Sequence, residues 1–257
     1  MDLENRYGTL HAQQGLLDLL KAFHAFCVEK GVRYSLAYGS LLGAIRHGGF
    51  IPWDDDLDVF VDRKNYDRLV GLLKDSPSLQ VERDSVRSLW VDRVRRKDPS
   101  PSGKGAYVPT LDLLVLDKLP AQSGTRRIKL FLILMLQGMI KPTLTLSKGS
   151  WLMRICSIVT FLLGRLFPIR LKKKWYRRVS QLGNADDSAV VCNYNGEFSD
   201  LKRQYPADMM DHIIEHGFED TKAFIVEAYD QCLTTQFGDY MTPPEEGERK
   251  PSHGGGA

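Results

Sequence analysis

The sequence predicts an α+β fold, a mixed β-sheet with helices packed against it. Three observations predict it. Apolar residues recur at helical spacing over residues 10–30, short alternating runs at VRYSLAYG and LDVFVD are each followed by a helical stretch, and TLDLLVLDKLP is almost continuously apolar. In the first helix Leu16, Leu19, Leu20, Phe23 and Phe26 share a face, and Gly31 can end it. VRYSLAYG reads as a short strand, SLLGAIRHGG as a brief helix closed by glycines, LDVFVD as a second strand and RKNYDRLVGLLKD as an amphipathic helix with Asp62 as its cap. LQVERD and SLWVDRV are expected to pair as strands, with DPSPSGKG a turn-rich loop. TLDLLVLDKLP predicts a buried strand interrupted by Asp112, and DTKAFIVEAYDQCLTTQF a helix stopped by GDYMTPPEE.

Composition excludes several classes. With 257 residues, 43% hydrophobic and 26% charged, the chain is neither disordered nor collagen-like. Cys27, Cys156, Cys192 and Cys232 form no CxxC pair, which argues against a zinc module or disulfide scaffold and fits a reducing compartment. No signal peptide is read at the N-terminus, and PSHGGGA reads as a flexible tail.

The net charge of +3 conceals an asymmetry. Lys118 to Ala185 holds 14 Lys and Arg and no Asp or Glu, so the remainder carries 21 basic against 32 acidic residues, a balance of −11. Within that segment IKLFLILMLQGMI is too short, and WLMRICSIVTFLLGRLFPI too interrupted, for a spanning helix. With RLKKKWYRR following, the expectation is helices lying on an anionic membrane surface, Lys172 to Lys174 among the contacting cations, in preference to a self-buried helical subdomain. Long Leu, Ile and Phe runs between the cations argue against nucleic acid as the partner.

The chemistry-bearing stretch is YSLAYGSLLGAIRHGGFIPWDDDLDVFVDRKNYDRL. Asp54, Asp55, Asp56 and Asp58 crowd four negative charges into five positions, unfavourable without a compensating cation. On a strand Asp56 and Asp58 would project together and offer Mg2+, or Mn2+ in its place, a pair of oxygens, with phosphate and water completing the shell. Apolar Leu57, Val59, Phe60 and Val61 make a merely solvated acidic loop the weaker reading. Gly39-Ser40, between strand and helix, suits a phosphate. Asp112 is the candidate third carboxylate, to complete the metal shell or accept a proton, and Asp117 is read as structural. Arg46 and His47 could neutralise phosphate, while Trp53 or Tyr194 could hold a quaternary ammonium, although ordinary packing is the simpler role for each aromatic. Arg249 and His253 are candidate ligand contacts from the tail.

On YGSLLGAIRHGGFIPWDDDLDV, LDLLVLD and the block FEDTKAFIVEAYDQCLTTQFGDYMTPPEE with Arg249 and His253, the sequence resembles the LicD family. Its bacterial members transfer phosphocholine from CDP-choline to cell-surface glycans, and fukutin-type transferases are related. The resemblance implies a nucleotidyltransferase-like core over 1–120 and a C-terminal helical part over 186–257 that completes the site; the basic apolar helical segment over 121–185 between them, read as a membrane-surface attachment, carries no motif of the family. The resemblance maps the Gly-Ser, DxD and third-Asp pattern onto Gly39-Ser40, Asp56/Asp58 and Asp112. Ser40 stands where Thr is also usual, and Phe218-Glu219-Asp220 where a Phe-Glu-Gly element is common. The expected reaction is metal-dependent transfer from a CDP-alcohol to a glycan hydroxyl of lipopolysaccharide, teichoic acid or a lipid-linked precursor, with release of CMP. It would take place at the cytoplasmic face of the membrane. Two alternatives stay open: a nucleotidyltransferase acting on a small molecule or RNA, and a non-catalytic membrane-surface module.

Overall fold

The first helix, α1 (Leu10–Lys30), buries Leu16, Leu19, Leu20, Phe23 and Cys27 along one stripe. It ends at Gly31, whose φ of 59° lets its amide turn back onto the carbonyls of Cys27 and Val28. A computed structural model describes residues 6–83, 90–98, 108–144, 150–184, 187–195 and 200–251. The chain divides into two units, one of Met1–Val81, Arg93–Val115 and Asp208–Ala257, the other of Glu82–Asp92 and Leu116–Ala207.

In the first unit β1 (Ser35–Leu36) leads into α2 (Tyr38–His47), then β2 (Asp58–Asp62) and α3 (Arg63–Leu73). Asp62 caps α3 by accepting the Asn65 amide at 2.8 Å, as its position before RKNYDRL predicts. β3 (Leu79–Glu82), β4 (Asp92–Arg96) and β5 (Leu111–Lys118) complete a sheet of order β1-β2-β5-β4-β3. The mixed α/β architecture predicted from the sequence is therefore present. β1 pairs antiparallel with β2, Ser35 opposite Phe60 and Leu36 opposite Val59, and Val59, Phe60 and Val61 are all buried.

The expected helix over DTKAFIVEAYDQCLTTQF is corrected. Its first part is strand β9 (Thr221–Val226), hairpinned with β8 (Ile213–Phe218), and only α7 (Tyr229–Phe237) is helical. The short, strongly apolar run AFIV fits either period, and the antiparallel partner at Ile213–Phe218 decides for a strand. Glu219 occupies the hairpin turn at a φ of 51°.

The second unit pairs the end of β5 with β6 (Val190–Asn193), and β6 with β7 (Tyr205–Pro206). Three helices accompany these strands: α4 (Ser123–Ile140), α5 (Trp151–Arg165) and α6 (Ile169–Ser180). Its core gathers Leu119, Ile133, Ile140, Tyr176 and Cys192. Asp117 is buried and accepts from the Asn184 amide group. Tyr194 is buried with the Lys129 ammonium 3.7 Å from its ring centroid, so the face considered for a ligand cation already carries a protein cation.

Candidate active site

The acidic stretch is anchored in the first unit from both sides. Thr9, at the start of α1, donates to the Pro52 carbonyl at 2.7 Å, and Gln13 donates to the carbonyls of Ile51 and Asp54 at 3.0 and 2.8 Å. On the other flank the Ser40 hydroxyl oxygen accepts the Asp58 amide at 2.9 Å, tying the Gly-Ser element to the first residue of β2. Gly39 leaves room for the Asp54 carboxylate, because a Cβ there would lie 2.5 Å from Asp54 Oδ2. Tyr38, just before it, holds a φ of 44°, a backbone conformation rare for an aromatic residue.

β2 begins at Asp58, so Asp56 lies in the preceding turn and the alternation of a strand does not govern its direction. The structure instead joins Asp56 to Asp54 by a side-chain hydrogen bond. Burial, the Asp56 charge, that shared proton and the charge of Asp55 together push the Asp54 carboxyl up to about 8. Asp55 is buried beside them. Two carboxylates near neutrality therefore share one proton at a turn fixed by backbone hydrogen bonds.

Asp112 sits on the strand next to β2, its amide donating to the Leu57 carbonyl at 2.8 Å. Adjacent strands lie about 4.8 Å apart, so Asp112 is a near neighbour of the Asp56–Asp58 segment. Its cationic partner is Arg93 of β4, bonded to both carboxylate oxygens at 2.7 and 3.3 Å. Nineteen residues separate this pair, and no local pattern announces it. Among the described residues no group of three or more His, Cys, Asp or Glu is gathered to hold a metal ion.

A cationic and aromatic cluster adjoins the acidic turn in sequence. Trp53 has Tyr7 at 5.7 Å and His47 at 6.1 Å, both edge-on, and the Arg249 guanidinium 5.3 Å from its centroid. Arg46 donates to the Tyr240 carbonyl at 2.8 Å, while its buried Nε has no hydrogen-bond partner. Burial and the neighbouring Arg249 both lower the Arg46 pKa, and burial and Arg46 lower that of His47. Arg249, distant in sequence, is thus brought to Trp53 and to the neighbourhood of Arg46. His253 lies outside the described residues. Two guanidiniums that feel one another's charge, one of them with an unpartnered Nε, suit an anion with several oxygens.

Glu219, which the sequence places in the Phe218-Glu219-Asp220 element without a role, is a positioning residue. Its amide donates to Gly48, its carboxylate accepts the Phe50 amide at 2.8 Å, and it lies so close to Gly49 that a Cβ there could not fit. It therefore braces the loop between α2 and the acidic turn.

The raised Asp54 pKa sets a pH prediction. The folded chain binds this proton more tightly than the unfolded chain, whose carboxyl has the ordinary 3.8. Metal-free stability from this group is therefore greatest at low pH and falls as pH rises between about 4 and about 8. His47, depressed on folding, acts in the opposite sense as pH falls below 6.5. The difference in denaturation midpoint between wild type and Asp54→Asn, measured in EDTA from pH 5 to 9, isolates Asp54. A pH-independent difference would refute the shared proton.

Residues 31–98 match the family model described as LicD/FKTN/FKRP, nucleotidyltransferase domain, a span holding Gly39-Ser40, the acidic turn and β2. The chain is 28% identical over 259 residues to the lipopolysaccharide cholinephosphotransferase LicD of Haemophilus influenzae, covering 95% of this chain and 96% of that one. A 44-residue stretch is 54% identical to human ribitol 5-phosphate transferase FKRP, 16% of this chain and 9% of the relative. An uncharacterized Rickettsia prowazekii protein is 46% identical over 44 residues, 17% of this chain and 16% of the relative.

Proposed function

This chain carries a LicD-family domain, and from that premise we propose that it transfers phosphocholine from CDP-choline to a glycan hydroxyl of lipopolysaccharide or its lipid-linked precursor, releasing CMP. The observation that carries the reading is the presence in one unit of the hydrogen-bonded Asp54–Asp56 pair and the cluster of Arg46, Trp53 and Arg249. Near-full-length similarity to a lipopolysaccharide cholinephosphotransferase supports the substrate class. The proposed setting is the inner face of the cytoplasmic membrane, and no helix among the described residues is long and apolar enough to cross a membrane.

The acidic turn fits Mg2+ or Mn2+ by its donor chemistry. Two carboxylates that must share a proton form a place where a divalent cation relieves repulsion. Mg2+ is commonly held by one or two protein carboxylates together with substrate phosphates, so a three-carboxylate cage is not required. Asp56 and Asp58 are the proposed ligands, with Asp54 beside them and Asp112 as the third carboxylate. When bound, the cation supplies charge stabilisation to the diphosphate and the departing CMP.

The chain's own residues do the rest. Arg46 and Arg249 bind the anionic part of the donor, Trp53 orienting Arg249 by its ring. Gly39 leaves room for Asp54, and Ser40 fixes β2 against α2. Asp112, steadied by Arg93, is the proposed acceptor of the glycan hydroxyl proton.

The test is product identification. The full chain with Mg2+ and acceptor is expected to release CMP from CDP-choline and to leave CTP and ATP intact. Pyrophosphate released from a nucleoside triphosphate would overturn the reading in favour of nucleotidyl transfer. Donor binding across CDP-choline, CDP-ethanolamine, CDP-glycerol and CDP-ribitol identifies the alcohol.

A further inference from the structure

Helix α5 is almost unburied. Of its 15 residues only Thr160 and Gly164 are buried. This narrow stripe meets α4 at close range, since a Cβ on Gly138 would strike Thr160 and one on Gly164 would lie 2.3 Å from the Met139 carbonyl oxygen. The remainder of α5 exposes large apolar side chains, with Trp151 at 72%, Leu162 at 59% and, just past the helix end, Leu166 at 73%. Phe131 of α4 adds another at 61%. Such a patch on a water-facing helix marks an interaction surface.

The charge of the segment selects the occupant. All 14 ionised side chains between Lys118 and Ala185 are cationic. Lys172 and Lys173 do not face outward as the sequence predicts, because both are buried. Lys172 Nζ donates to the carbonyls of Met139 and Gly164 at 2.8 and 2.9 Å, closing the ends of α4 and α5. Lys173 Nζ donates to the Arg83 carbonyl at 2.6 Å. Among the described residues the exposed cations are instead Arg126, Arg127, Arg154, Arg165, Arg170, Lys174 and Arg178. A second copy meeting this face would set cations against cations, whereas an anionic lipid surface complements both the apolar side chains and the charge.

We propose that α4 and α5 form a close-packed helical pair that docks into the surface layer of an anionic lipid membrane, α5 inserting its apolar side chains below the headgroups. At a rise of 1.5 Å per residue the two helices are roughly 27 and 22 Å long, short of a bilayer core of about 30 Å, so the pair enters one leaflet. The inference rests on the proposed transferase only for its purpose, the capture of a lipid-linked acceptor.

Vesicle sedimentation tests it without donor or acceptor. The full chain is expected to bind vesicles of phosphatidylcholine with phosphatidylglycerol at least tenfold more tightly than phosphatidylcholine alone, and to be weakened by salt. Its Trp emission should shift to the blue on binding, a shift lost in Trp151→Phe. Leu162→Glu with Leu166→Glu, both on exposed positions, should abolish binding while CMP release with a soluble glycan acceptor stays at the wild-type rate. Equal binding by that variant, or indifference of wild type to vesicles, overturns the proposal. A wild-type dimer that ignores vesicles and that the same variant dissociates would assign the face to a second copy. Loss of CMP release in the wild type with vesicle binding intact would instead count against the transferase.

Discussion

Replacing Asp56 by Asn is expected to lower CMP release from CDP-choline by about 10³-fold or more while the protein remains as stable as wild type, or becomes more so, without metal. The kinetic part follows from magnitude. Cation stabilisation of a transferring phosphoryl group is worth several kcal/mol, and each ~1.4 kcal/mol is a factor of ten. The stability part follows from the crowding of the acidic turn, where the Asp56 charge helps push the Asp54 carboxyl up to about 8. An amide removes one charge from that cluster and can still donate to Asp54, so its repulsion falls. A residue needed only for folding would lose stability together with activity. Rates measured with Mg2+ and with Mn2+, beside denaturation midpoints in EDTA, separate the two. Wild-type turnover in Asp56→Asn would remove the acidic turn from the chemistry, and Asp58→Asn extends the test to the first residue of β2.

What the sequence made legible depends on how local the determinant is. The apolar face of α1, the Asp62 cap and the apolar run of β5 are each written within one or two turns or a single strand, and all are present. The β8–β9 hairpin was not legible, because the short run Ala223–Val226 fits both periods and its partner strand carries exposed Glu215 and half-buried His216. The Arg93–Asp112 pair and the approach of Arg249 to Trp53 join residues 19 and 196 positions apart. Such contacts are set by strand order and by the packing of the tail. The buried Lys172 illustrates the same limit: a run of three lysines reads as surface charge, but helix ends with unsatisfied carbonyls can claim one.

Two glycines of α2, four residues apart on one helix face, are expected to fail in different ways when replaced by Ala. At Gly43 the added Cβ would lie 2.4 Å from the Gly49 carbonyl oxygen and 3.2 Å from the Ile51 amide nitrogen. Both are backbone atoms of the loop that Glu219 braces, so helix and loop must separate. Overpacking of this kind costs about 1–3 kcal/mol, a fall in Tm of roughly 2–10 °C for a chain of this size. At Gly39 the Cβ meets only Asp54 Oδ2, the far end of a side chain that can turn away, and Ala is the better helix former by up to about 1 kcal/mol. Gly39→Ala is therefore expected to keep a Tm within a few degrees of wild type and to lose transfer by at least about tenfold, because Asp54 is driven from Asp56. Its pH–stability profile should converge on that of Asp54→Asn, since the carboxyl leaves the environment that raises its pKa. Wild-type turnover in Gly39→Ala, with the pH profile of Asp54 unchanged, would show that the Asp54–Asp56 pair is not part of the working site.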